Sequence, residues 1–160
     1  MKIARLLQLF FFLSIIIISS CSDNDEEFGD TSLISFEEAT FSEDQFIIYL
    51  TEDPNGKTFS FGAGTYNFTN TIPLADIENL TIKGAGIDET YFDFSNSAST
   101  SGEGIAAMDC SNLLFCGFTI QNTNGGNAIT ARNITGLRID GVGTVWPESS
   151  PDNGAYGIYP

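Results

Sequence analysis

The 160-residue chain has no histidine and only three cysteines, so any chemistry it carries rests on carboxylates, a few cations and aromatic rings. Asp76 and Asp109 fall in one column of an internal repeat whose third member is Asn133. Stacked carboxylates on successive repeats could hold calcium, which takes oxygen ligands of this kind. The competing role is to cap a turn, because short polar side chains bond to nearby backbone groups. Trp146, Tyr156 and Tyr159 could form a platform for sugar rings, or pack beneath a loop. The basic candidates are Lys83, Arg132 and Arg138. Arg138 shares an outward column with Thr81 and Leu114, yet no aspartate lies at a spacing that completes a catalytic set, so it reads as a solvated surface cation. These residues name no reaction.

What positions them begins with the N-terminus. Lys2 and Arg5 precede Leu6 to Ile18, an almost unbroken apolar run. Its thirteen positions fall short of the ~20 apolar residues a spanning helix needs and match an export signal. Ile18-Ser19-Ser20-Cys21 resembles the lipobox of bacterial lipoproteins. That resemblance implies cleavage after residue 20, a lipid on Cys21, and anchoring at the outer membrane or cell surface. Ser22-Asp23-Asn24-Asp25-Glu26-Glu27 then resembles the surface-export signal of some Gram-negative lipoproteins. Residues 21–34 read as an acidic flexible tether, since such a stretch cannot bury enough apolar area to offset its ordering entropy. Residues 35–57 read as an N-terminal cap and 58–160 as the body.

Without residues 1–20 the chain keeps four basic residues against 21 acidic ones, a net charge of −17. Such a field repels polyanions, which excludes nucleic acid as a partner. An acidic polysaccharide could bind where calcium bridges carboxylates on both sides. Cys110 and Cys116 are six residues apart; in one extended segment they are too distant to bridge each other, and Cys110 reads as packed inside.

Three segments align without a gap: Asp76 to Gly84, Asp109 to Gly117 and Asn133 to Gly141, at offsets of 33 and 24 residues. Leu80/Leu113/Leu137 and Ile82/Phe115/Ile139 are apolar two positions apart, which puts both columns on one face of a strand. Gly84, Gly117 and Gly141 read as strand ends at a corner. Short strands recurring with one apolar face predict an all-β solenoid, a parallel β-helix, whose nine extra residues in the longer repeat form a loop at 96–104. Ser42 with Gln45 has the form of a capping box, so Phe46, Tyr49 and Leu50 predict a short capping helix. Asp53-Pro54-Asn55-Gly56 is a turn before a first strand at 58–61.

Phe61-Gly62-Ala63-Gly64-Thr65-Tyr66, Leu80 to Gly86 and Thr90-Tyr91-Phe92-Asp93-Phe94 together resemble the opening of right-handed parallel β-helix proteins of the pectate-lyase-like superfamily. The resemblance covers roughly residues 42–160 and implies a right-handed solenoid of which this is the front portion. Such folds host lyases, hydrolases, epimerases and binding proteins alike. Three functions are therefore expected: binding of carbohydrate or cell-envelope polymer, polysaccharide lyase or epimerase action in coils beyond residue 160, and a passive stalk or adhesin.

Overall fold

The columns of the repeat are strand registers. The computed structural model describes residues 32–98, 102–123, 126–146 and 157–159; the export signal, Cys21 and Tyr156 lie outside them. Leu113 pairs with both Leu80 and Leu137, and Phe115 with both Ile82 and Ile139. The strands in chain order are β1 (Ser32–Phe36), β2 (Lys57–Phe61), β3 (Gly64–Asn67), β4 (Ile72–Ala75), β5 (Glu78–Lys83), β6 (Thr90–Asp93), β7 (Ile105–Met108), β8 (Ser111–Gln121), β9 (Ile129–Arg132), β10 (Thr135–Val145) and β11 (Ile158–Tyr159). A 3-10 turn, Glu38–Thr40, and helix α1, Glu43–Glu52, lie between β1 and β2.

All pairings are parallel, and they build two sheets. In the seven-stranded sheet, β8 pairs with β5 along its first half and with β6 along its second, so the sheet curls around the core. The four-stranded sheet runs β11-β9-β7-β4. Alternate residues of both sheets enter one core: Ile72, Leu74 and Ile105 from one, Leu80, Ile82, Leu113 and Phe115 from the other. Burial of each such side chain contributes roughly 1.5–3 kcal/mol before entropy is subtracted, so stacking of like columns is the main stabilising effect.

β1 corrects one boundary. Ser32, Leu33 and Ile34, expected in the tether, pair with Lys57, Thr58 and Phe59. The acidic composition ends earlier than the tether was drawn, and Ile34 and Phe36, two positions apart, supply an inward face; the Phe36 ring stacks 4.9 Å from that of Phe61. α1 closes this end as the capping residues predict. Ser42 Oγ accepts the Gln45 N–H at 3.4 Å, and Phe46 turns its ring into Phe36, Phe59 and Phe61 at 5.4–5.5 Å. The Glu43 carboxylate ties α1 to the loop after β3, accepting the N–H groups of Thr69 (2.9 Å) and Asn70 (3.0 Å).

The expected strand ends at Gly117 and Gly141 are bends inside β8 and β10. Their φ angles, 69° and 58°, turn the chain without leaving the sheet, a conformation in which a β-carbon is strained. Gly84 is glycine for a different reason. A Cβ there would run into the Gly117 carbonyl oxygen, so two layers approach at the backbone.

The nine extra residues are also distributed differently. Lys83 pairs 33 residues on with Cys116, Tyr91 pairs 28 on with Thr119, and Ile105 pairs 24 on with Ile129. Five of the nine therefore sit between β5 and β6, where Ile87 folds back and its carbonyl accepts the Thr119 hydroxyl. Four remain between β6 and β7. The serine-rich composition marked only the second insertion, because Gly84 to Glu89 reads as a continuation of the repeat.

Candidate functional site

The Asp/Asn columns form a corner used three times, where the chain passes from the four-stranded sheet to the seven-stranded one. Asp76, Asp109 and Asn133 take φ of 55°, 54° and 53°, and two residues later the backbone resumes the next strand. Asn79 and Asn112 take φ of 58° and 53°, and Gly136 completes their column at 76°. Aspartate and asparagine are the side chains that tolerate this left-handed conformation best. Their polar atoms then bond along the stack. Asn133 Nδ2 donates to Asp109 Oδ1 at 2.6 Å, and Asn112 Nδ2 to Asn79 Oδ1 at 3.0 Å.

Asp76, Glu78, Asp109 and Asn133 line a shallow depression at this corner, where calcium was one expectation. Among the described residues no group of three acids converges on a metal position. The backbone angles account for Asp76 and Asp109 as turn residues.

Of the three residues expected to form an aromatic platform, Trp146 and Tyr159 are described. Trp146 is half-buried against the core, and its Nε1 donates to Thr123 Oγ1 at 2.7 Å, which fastens it under the loop following β8. Tyr159 stands on the other sheet, on β11, with 45% of its surface exposed. Tyr156 lies outside the described residues. Arg138 is exposed and paired with Asp140 at 3.2 Å, an ion pair of little energetic weight.

Tyr159 leads to residues that the repeat did not single out. It pairs with Thr130, Thr130 with Ala106, and Ala106 with Pro73, which makes one row across the outward face of the four-stranded sheet. The next row is Ala75, Met108 and Arg132. Pro73, Ala106 and Thr130 of the first row, the whole of the second row and Glu103 line a cleft of about 180 Å³, with Tyr159 beyond it on β11. Pro73 is shared with a second, wider cleft of about 540 Å³ between Ile47 and Ile48 of α1 and the Asn70-Thr71 segment. Together they make a trough from the helix across the sheet.

Within the smaller cleft, Thr130 Oγ1 donates to Glu103 Oε1 at 2.6 Å and accepts from Asn127 Nδ2 at 3.1 Å. Thr130 is 3% exposed, so its hydroxyl is committed to these partners. Arg132 is exposed and makes no ion pair with any described residue, whereas Lys57 and Arg138 each hold an aspartate. Arg132 was visible as a cation, but not as part of a site. The signal that could have found it is an upstream extension of the repeat: Ile72-Pro73-Leu74-Ala75-Asp76, Ile105-Ala106-Ala107-Met108-Asp109 and Ile129-Thr130-Ala131-Arg132-Asn133 align in full.

A second polar cluster flanks the curled sheet. Burial alone would raise the Asp93 carboxyl pKa, but the Ser95 N–H and hydroxyl, with the Asn122 and Gln121 amides, outweigh that effect and hold it below the usual value. The Ser95 N–H lies 2.7 Å from Oδ1 and Gln121 Nε2 lies 2.7 Å from Oδ2. Every acceptor position is engaged from within the fold, which suits a structural carboxylate. Cys110 is a free, buried cysteine, so it does not bridge to Cys116. The chain matches no protein-family model, no curated protein and no solved structure.

Proposed function

We propose that this protein is a right-handed parallel β-helix held at the outer membrane or cell surface by a lipid on Cys21, and that it binds carbohydrate or another cell-envelope polymer. The trough on the outward face of the four-stranded sheet carries the reading. A polymer laid across that face meets Pro73, Ala106, Thr130 and Tyr159 in turn, one strand every ~4.8 Å. An exposed tyrosine ring at one end and α1 at the other suit sugar rings, whose faces are apolar and whose edges are polar. Support for the β-helix comes from the repeated corner and from like columns stacked in parallel. A lipid anchor with an acidic tether would place the trough outside the membrane surface.

Co-sedimentation of the full chain with insoluble envelope polysaccharides tests the binding function. Retention that falls at least ~10-fold in Tyr159→Ala is the expected result. No retention on any envelope polymer would overturn it, and release of unsaturated sugar during the incubation would establish a lyase instead. Membrane fractionation of Cys21→Ser tests the anchor separately: the membrane pool should move to the soluble fraction, and an unchanged pool would refute lipid attachment at this residue.

A further inference from the structure

We infer that the cleft beside Arg132 selects one sugar unit that carries both an N-acetyl group and a carboxylate. This rests on the polymer-binding reading and adds the chemistry of the unit recognised. The volume, about 180 Å³, suits a single residue of a polymer. Pro73, Ala75, Ala106 and Met108 make its walls apolar, so the hydroxyl-bearing edge of a sugar would lose its water against them and find no partner. The methyl of an acetyl group has no hydrogen bond to lose by entering, with its amide left at the rim. The hydroxyl that the described lining residues supply, that of Thr130, is already shared between Glu103 and Asn127 and offers no further donor hydrogen.

Arg132 then decides the second group. It lies at the cleft with no acidic partner among the described residues, in a chain whose other charges are overwhelmingly negative. A guanidinium left open in such a field is the local attraction for an anion, and its planar fork matches a carboxylate with two parallel hydrogen bonds. Glu103, held at the same cleft by Thr130, repels a second anionic group. The cleft therefore fits one acetyl methyl against the alanines and one carboxylate on Arg132.

Calorimetric titration of the full chain with three probes tests this. N-acetylmuramic acid carries both groups, N-acetylglucosamine lacks the carboxylate, and galacturonic acid lacks the acetyl. N-acetylmuramic acid should bind at least ~10-fold more tightly than either of the others, a discrimination expected of one charged hydrogen-bonded contact. Arg132→Gln should bring N-acetylmuramic acid to the level of N-acetylglucosamine. Ala106→Leu, which fills the cleft, should bring N-acetylmuramic acid to the level of galacturonic acid while leaving the far-ultraviolet spectrum unchanged. Three probes within a factor of ~3 of one another, or an unchanged Arg132→Gln, would overturn the inference. So would retention of polymer with no measurable binding of any probe, and in that case the polymer-binding function would stand. Loss of polymer retention by the unsubstituted chain would instead sink the function beneath it.

Discussion

Asn112 is held at φ 53° and donates along its column to Asn79, so its side chain does two separable things. A left-handed conformation costs an ordinary residue about 1–2 kcal/mol, and an exposed hydrogen bond contributes about 0.5–1.5 kcal/mol. Asn112→Ala should therefore lower the stability by roughly 1–3 kcal/mol in urea titration, and Asn112→Gly by distinctly less, because glycine restores the backbone term alone. Equal losses would show that the angle is not what asparagine supplies. Asp93 makes a prediction of opposite character. Its pKa is lower folded than unfolded, so the stability it contributes is present above the unfolded value of ~3.9 and is lost as pH falls through the folded one. Asp93→Asn should be less stable than the parent at pH 7 by thermal melting, and the gap should narrow as pH falls below ~3.9. A gap that does not narrow with falling pH would mean the loss comes from geometry and not from charge. At this scale the sequence displayed the right residues with an ambiguous purpose: aspartate suits both a calcium site and a left-handed corner, and the corner shows only in the backbone angles.

The elements differ in how plainly their sequences announce them. α1 was legible because capping, helical spacing and the following Asp53-Pro54-Asn55-Gly56 turn all agree. β5, β8 and β10 were legible through their paired apolar columns. The third strand of each repeat was missed because four residues bounded by loops give too short a period to stand out, and β9 even buries its outward Thr130. The cleft was lost with it. Within α1, Phe46 is fully buried and its ring meets five other aromatic rings, Phe36, Phe41, Phe59, Phe61 and Phe68, at 5.4–6.4 Å. Phe46→Ala should cost roughly 3–5 kcal/mol, since Phe36, Phe59 and Phe61 are anchored on β1 and β2 and cannot collapse into the space. Its denaturation midpoint measures this. Phe46→Leu should recover most of the loss; if it recovers none, the edge-to-face ring contacts outweigh burial at the cap.

For the whole molecule, shape and charge pull in opposite directions. Stacked parallel strands bring like residues above one another, which concentrates apolar columns inside and repeats any outward charge along the surface. Residues 21–160 hold four cations for 21 acids, and the two ion pairs among the described residues, Lys57–Asp53 and Arg138–Asp140, are exposed on at least one partner. Such pairs contribute about 0–1 kcal/mol each, too little to offset the repulsion among so many carboxylates. Salt screens both, but the repulsive pairs greatly outnumber the attractive ones. With a screening length of ~30 Å at 0.01 M and ~8 Å at 0.15 M, raising sodium chloride over that range should raise the melting temperature. Potassium chloride should act equally, since the effect is screening and not a specific ion site. A falling melting temperature would mean that a few close pairs matter more than the net field. A rise seen with micromolar calcium but not with sodium would instead point to a bound cation, and would return attention to the corner lined by Asp76, Glu78 and Asp109.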